Sequence, residues 1–413
     1  MRIALTILGI ALCLFLIQGS ARFGFSRLLS RYALATNSIP AADEALRLTP
    51  SDPEAHRSKA TILNRLQASA DAAHSLETAT TLRFRDDYLW IELANTREEL
   101  GDTDGALAAL DQAVRWAPHY AHTHWQRGNL LLRMRRPQEA FSELRQAATA
   151  NPSYIPSLVD LAWGISGGNI KTTEAALEVK DDVTRLALIR FLARKGRGRE
   201  VVDQIRSLSS PLPADKQNEI AGLLFAGKAY REAFDLWRAS NNIPSAQLLM
   251  NGGFEDPIAF NDNAFGWIIA ADQKNRVAID VSEKLRGARS LQITFDGPWA
   301  PGTSPLNQTI VVDYGKTYHL SFAVRTKDLV TGGPPILVVN DANNNQLLGQ
   351  SENFPTVTTP WQTLNLNFTT LTTSEAVIIR LQRSNCDSSP CPIFGTLWLD
   401  EFHIEQTEPT TKR

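Results

Sequence analysis

DYLWIELANTREELGDTDGALAALDQAVRWAPHY, residues 87–120, and AHTHWQRGNLLLRMRRPQEAFSELRQAATANPSY, residues 121–154, are each 34 residues long and align without a gap. The alignment sets Ala94 over Gly128, Ala106 over Ala140, Leu110 over Leu144, Ala113 over Ala147 and Pro118 over Pro152. The same columns continue upstream, through Ala60, Ala72, Leu76 and Ala79 to Ala45 and Pro50, with Phe84 once in place of proline. So many columns sharing one period mark an array of structural repeats. The small positions let two antiparallel helices approach closely, the large ones fill their seam, and proline ends the second helix.

These residues resemble the tetratricopeptide repeat. Asp87–Tyr120 carries Trp90, Leu93, Ala94, Ala106, Leu110, Ala113 and Pro118 where that family expects them, and Ala121–Tyr154 carries Gly128, Ala140, Leu144, Ala147 and Pro152. The resemblance is clearest over residues 53–154 and weaker over 19–52. Beyond Ile155 the register loosens, and Gly222–Trp237 reads as one more helical hairpin, for about six pairs in all. The expected solenoid covers residues 22–242. Its first helices would line a groove carrying Arg57, Asn95, Trp125, Asn129 and Arg133, where Asn and Arg could hydrogen-bond an extended peptide. The plain alternative is a solvated helix face. His119, His122 and His124 cluster in sequence, but a turn and a helix start separate them.

After Pro244 the texture changes. Ser290–Phe295, Thr317–Arg325, Ile336–Asn340, Thr363–Phe368 and Ala376–Leu381 alternate polar and apolar residues between turn signals, as strands of a β-sandwich do. The fold class expected for the chain is therefore multidomain, an α-solenoid followed by an antiparallel β-sandwich over residues 243–406, with a polar tail at 407–413. Charge divides with it: residues 1–242 carry 30 basic and 27 acidic side chains, and 243–413 carry 12 and 17.

Leu249-Met-Asn-Gly-Gly-Phe-Glu255, Gly266-Trp267, Gly287–Gln292 and the closing Leu397–Ile404 resemble the jelly-roll carbohydrate-binding modules of the family 4/9 type. That resemblance implies a polysaccharide ligand, though the superfamily also holds modules that bind other ligands or none. Sugars bind the flat apolar faces of aromatic rings. Trp267, Trp361 and Trp398 lie in strand contexts and read as core. Trp299, in Asp296-Gly-Pro-Trp-Ala-Pro-Gly302, lies in a loop and reads as an exposed platform. The resemblance also implies a structural calcium, with Glu255 and Asp400 at the matching positions; strand capping or pairing with arginine are the alternatives. No cofactor is required.

The amino end carries the apolar run Ile3–Ile17 after Arg2, followed by Gly19-Ser20-Ala21. Its length suits a signal peptide, a bilayer span needing about 20 residues, but extension to Ala21 gives an uncleaved anchor. Residues 1–21 are thus expected to be a signal peptide or membrane anchor. Arg22, Arg27 and Arg31 favour a cytoplasmic side for the chain beyond the run. The cysteines argue the other way. Cys386 and Cys391 flank a tight loop that a disulfide could close, and a bridge fits an oxidising compartment; two free thiols beside a turn are the alternative.

The near-balance of 42 basic and 44 acidic residues lacks the basic bias of nucleic-acid binders. No His-Glu-x-x-His, P-loop or dinucleotide fingerprint is present, and no carboxylate pair is singled out for glycoside hydrolysis. The expectation is a non-catalytic, extracytoplasmic, membrane-anchored adaptor. Its groove would hold a protein partner and its sandwich a polysaccharide, in cell-envelope or exopolysaccharide assembly. The alternative is a purely structural scaffold whose sandwich binds no sugar.

Overall fold

The computed structural model describes residues 2–244, 247–258, 265–270, 276–297, 299, 302–386 and 390–407, with side chains from residue 7 onward. The chain forms two compact units, Met1–Lys180 and Asp181–Arg413.

In the first unit ten α-helices form five antiparallel pairs. They are α1 (Arg2–Thr36), α2 (Ile39–Leu48), α3 (Pro53–Arg65), α4 (Ser69–Leu82), α5 (Asp87–Glu99), α6 (Thr103–Trp116), α7 (Ala121–Arg133), α8 (Pro137–Ala150), α9 (Ile155–Ile165) and α10 (Ile170–Leu177). Helix starts follow local chemistry. Asp52 accepts the Glu54 N–H ahead of Pro53, and Asp102 accepts the Gly105 N–H, each meeting donors that have no partner within the helix. The repeat columns are the core: Ala60, Ala72, Leu76, Ala94, Ala106, Leu110 and Ala113 are almost wholly buried in one cluster. Gly128 shows why that column is small, because a Cβ there would lie 2.6 Å from the Leu144 side chain. The last part of α1 belongs to the first pair: Ser26 donates to the Ala45 carbonyl (2.9 Å), and Ala33 is buried with Ala42 and Ile62.

The second unit begins with two more pairs, α11 (Asp182–Arg194) with α12 (Gly198–Arg206) and α13 (Ala214–Ala226) with α14 (Tyr230–Asn241). Seven pairs, rather than about six, result because residues 155–241 form three pairs. A sandwich of two five-stranded antiparallel sheets follows. Its strands are β1 (Ile268–Ile269), β2 (Val277–Asp280), β3 (Ser290–Gly297), β4 (Leu306–Val311), β5 (Thr317–Thr331), β6 (Pro335–Asp341), β7 (Leu347–Gln350), β8 (Val357–Thr369), β9 (Ala376–Arg383) and β10 (Ile393–Thr407). The first sheet has the order β1-β4-β9-β6-β7 and the second β2-β3-β10-β5-β8. Leu291, Ile293, Phe322, Val339, Ile379, Leu381, Leu397 and Phe402 are among the side chains between them.

Helix gives way to strand between Asn241 and Ile268, but compactness divides the chain earlier, at Lys180–Asp181. The physical reason is a joint between α13–α14 and the sandwich. Phe265 packs against Phe225, Phe234 and Trp237, with ring centroids 4.9–5.5 Å apart. Lys228 donates to the Asn343 carbonyl (2.7 Å), Tyr230 to that of Ala342 (3.2 Å) and Arg231 to that of Val312 (2.8 Å). Residues 181–242, grouped with the repeats on sequence, thus fold with the sandwich.

Candidate binding surfaces

On the first helices of the repeats, the five expected groove residues divide into two kinds. Arg57 makes a two-pronged ion pair with Glu92 (2.8 and 2.9 Å) and lies over the Tyr88 ring at 4.9 Å. Hydrogen bonding to Glu92 raises its already high pKa further. Arg133 is paired with Glu98, and Trp125 stacks on Tyr154 with centroids 4.6 Å apart. Asn95 and Asn129 occupy one repeat column on α5 and α7 and make no hydrogen bond among the described residues. Beside Asn95 is a cavity of about 350 Å³ lined by Thr61, Asn64, Arg65, Glu92 and Glu99. The groove is therefore internally neutralised at its arginines and open at its asparagines. His124 is buried, its two ring nitrogens 2.7 Å from Glu143 and 2.8 Å from the Pro118 carbonyl, which leaves neither for a metal.

In the sandwich, Trp299 corrects the sequence reading. It is only 5% exposed and stacks on Phe295 at 5.2 Å with the rings 5° from parallel. Arg383 lies over the ring at 5.8 Å and donates to the Trp299 carbonyl at 2.7 Å. So little of the ring is exposed that it offers a sugar no face. Trp267 is core as expected, in contact with Phe254 and Phe402. Trp398 is buried but lies outside the core cluster. Its N–H donates to Asp280 (2.8 Å), and Arg325 lies over its ring. Trp361, read as core, is only half-buried.

Glu255 and Asp400 come together around Gly253 at one end of the sandwich. Asp400 accepts backbone N–H groups from Leu285 (2.9 Å), Arg286 (3.3 Å) and Glu401 (2.7 Å), and Glu255 accepts those of Ala288 (2.8 Å) and Arg289 (3.3 Å). Burial pushes the Asp400 carboxyl above its ordinary pKa even against those donors. Calcium takes six to eight oxygen ligands. Among the described residues no three His, Cys, Asp or Glu side chains converge as a metal cluster. Through these hydrogen bonds the pair clamps the 285–289 loop. Cys386 and Cys391 are joined in a disulfide.

A surface that sequence reasoning misses is the outer face of the first sheet. Val377, Ile379 and Leu381 of β9 enter the core, so Ile378, Arg380 and Gln382 face away from it. Arg380 is paired across the sheet with Asn307 and Val338, and Ile378 with Thr309 and Asn340. The alternation within Ala376–Arg383 holds this signal, but in sequence it identifies only the core side.

Residues 91–155 match the tetratricopeptide repeat family, and residues 246–388 match a family of carbohydrate-binding domains. The chain carries tetratricopeptide repeats and a C-terminal sandwich resembling carbohydrate-binding modules. Both families are usually non-catalytic, and together they support a binding adaptor. No curated protein sequence matches the chain. Among solved structures, it is similar to MamA from Desulfovibrio magneticus RS-1, with 17% identity and a TM-score of 0.33 over 46% of this chain and 98% of that one. It is similar to YrrB, described as a tetratricopeptide repeat protein with an unusual peptide-binding site, at 16% identity and a TM-score of 0.27 over 51% and 95%. It is also similar to TmCBM61, solved with β-1,4-galactotriose, at 17% identity and a TM-score of 0.28 over 40% and 100%.

Proposed function

We propose that this protein is a non-catalytic, exported and membrane-tethered adaptor. Its repeats hold an extended protein segment, and its sandwich holds a polysaccharide during cell-envelope or exopolysaccharide assembly. The observation that carries the reading is the outer face of the first sheet. There Asn307, Arg380 and Gln382 are half-buried beside Ile378, the mixture of polar anchors and apolar surface that ligand sites use. The Asn95–Asn129 column supports the protein-binding half. Such amides can pair with the backbone of a bound strand, whereas the arginines already have partners.

The tether rests on α1. Ile7–Thr36 is long and apolar enough to cross a membrane, and Ile7, Leu8, Leu12 and Phe15 are exposed. The helix continues without a break into residues packed in the first repeat pair. An intact mass for the membrane-extracted protein that includes residues 1–21 supports the anchor; a mass starting near Arg22 shows a cleaved signal.

A glycan array probed with the detergent-solubilised full chain tests the sandwich. Binding that Asn307→Ala weakens supports the reading, and silence across the array removes it. One observation favours the second reading, a scaffold that binds no sugar: burial of Trp299 removes the one loop aromatic expected to act as a platform.

A further inference from the structure

Arg380 is at the middle of the middle strand of the first sheet, on the face turned away from the core. A guanidinium carries five N–H donors. Its one hydrogen bond among the described residues goes to the Asn345 side-chain oxygen. No Asp or Glu lies within ion-pair distance among the described residues, and burial lowers its pKa with no carboxylate opposing the shift. The contrast within the chain is plain, because Arg57, Arg133, Arg190 and Arg276 each hold a carboxylate. In the next row, the Asn340 side-chain oxygen is buried without a donor. A half-buried cation left unpaired is costly, and a carboxylate accepting two parallel N–H bonds is the partner its planar fork fits best.

The rest of the face points the same way. Among the described residues, its half-buried side chains Asn307, Ile378 and Gln382 include no aromatic ring on which a neutral pyranose could stack, and Thr309, Ile336, Val338 and Asn340 are buried. Affinity there has to come from polar and charged groups. Residues 243–413 carry 12 basic against 17 acidic side chains, so the sandwich as a whole repels a polyanion. Attraction must be local.

We propose that the polysaccharide is anionic, a chain bearing carboxylate sugars such as uronic acids, and that Arg380 selects it by pairing with one carboxylate. The inference rests on the glycan-binding reading above. Selection works through the N–H donors that no described residue accepts: a carboxylate satisfies them, whereas a neutral hydroxymethyl in the same place leaves the charge uncompensated.

The test uses the full chain in detergent and three uronic-acid polymers, polygalacturonate, polymannuronate and polyglucuronate. Each is compared with its carboxyl-reduced form. At least one acidic polymer should bind ten times or more tighter than its reduced counterpart. The advantage should fall only weakly with salt, as one local pair requires, and disappear in Arg380→Gln. The polymer comparison uses the unmodified protein, so it stands even if the variant folds poorly. Equal affinity for acidic and reduced polymers, or a preference that survives in a folded Arg380→Gln, overturns the assignment of Arg380 while leaving glycan binding intact. Binding to neutral glycans alone does the same. Silence across these polymers and a general glycan array removes glycan binding itself.

Discussion

Truncating Trp299 to alanine should destabilise the second unit strongly. The ring is 5% exposed, stacked on Phe295 and covered by Arg383, so its removal opens a cavity the surrounding strands cannot close. Buried Phe or Trp to Ala changes cost about 3–5 kcal/mol. One feature pulls this toward the lower end: among the described residues the buried indole N–H has no acceptor, a defect worth about 1–3 kcal/mol that leaves with the ring. The expected loss is about 3 kcal/mol. At about 2–4 °C per kcal/mol for a body of this size, the unfolding transition of the second unit should fall by about 6–12 °C. Trp299→Phe separates the two effects. It keeps most of the packing and removes the orphan donor, so it should cost less than about 1.5 kcal/mol. Differential scanning calorimetry of the full chain reads both. A Trp299→Ala shift smaller than about 2 °C would mean that the ring is not a packed element, and the exposed-platform reading would return.

Replacing Cys386 and Cys391 by serine should cost about 2 kcal/mol, since so short a loop removes little unfolded-state entropy; thiol titration of unreduced, denatured protein should find only Cys13 free. Burial works against ionisation of Asp280, but hydrogen bonds from Ser282, Trp398 and the 282–283 backbone overcome it and hold its pKa at about 2, against an ordinary 3.8. A depressed folded pKa gives stability that is complete above 3.8 and lost as pH falls toward 2, so Asp280→Asn should flatten the acid unfolding curve in that window; an unchanged curve would deny the pairing. Asn129→Ala should weaken capture of the repeat partner without lowering the melting temperature, because among the described residues the side chain has no internal bond to lose. A fall in melting temperature, or unchanged capture, would return this column to a solvated helix face.

Much of the fold was legible because its signals are local. The 34-residue period reports a packing constraint that recurs in every unit, and Gly128 stands at the one column member where a Cβ would strike Leu144. The alternation in Ala376–Arg383 likewise fixes which side chains enter the core. The binding surfaces were less legible. Arg57 and Arg133 read as ligand groups until the neighbouring repeat supplied Glu92 and Glu98, each 35 residues away. Trp299 read as exposed because proline and glycine surround it, yet it is buried with Phe295 and Arg383 packed against it.

By itself, then, the sequence determined what depends on spacing along the chain: repeat length, helix starts, strand alternation and the passage from helix to strand. Tertiary structure alone decided which polar side chains are neutralised and which are left open. Arg57 and Arg380 are the same residue in sequence terms. One meets a carboxylate on the first helix of the next repeat and the other faces out from a central strand with none among the described residues. Ion pairing depends on distances between segments far apart in the chain, and no local pattern encodes them. The same holds for the division at Lys180–Asp181, because aromatic packing around Phe265 joins α13–α14 to the sandwich within one compact unit.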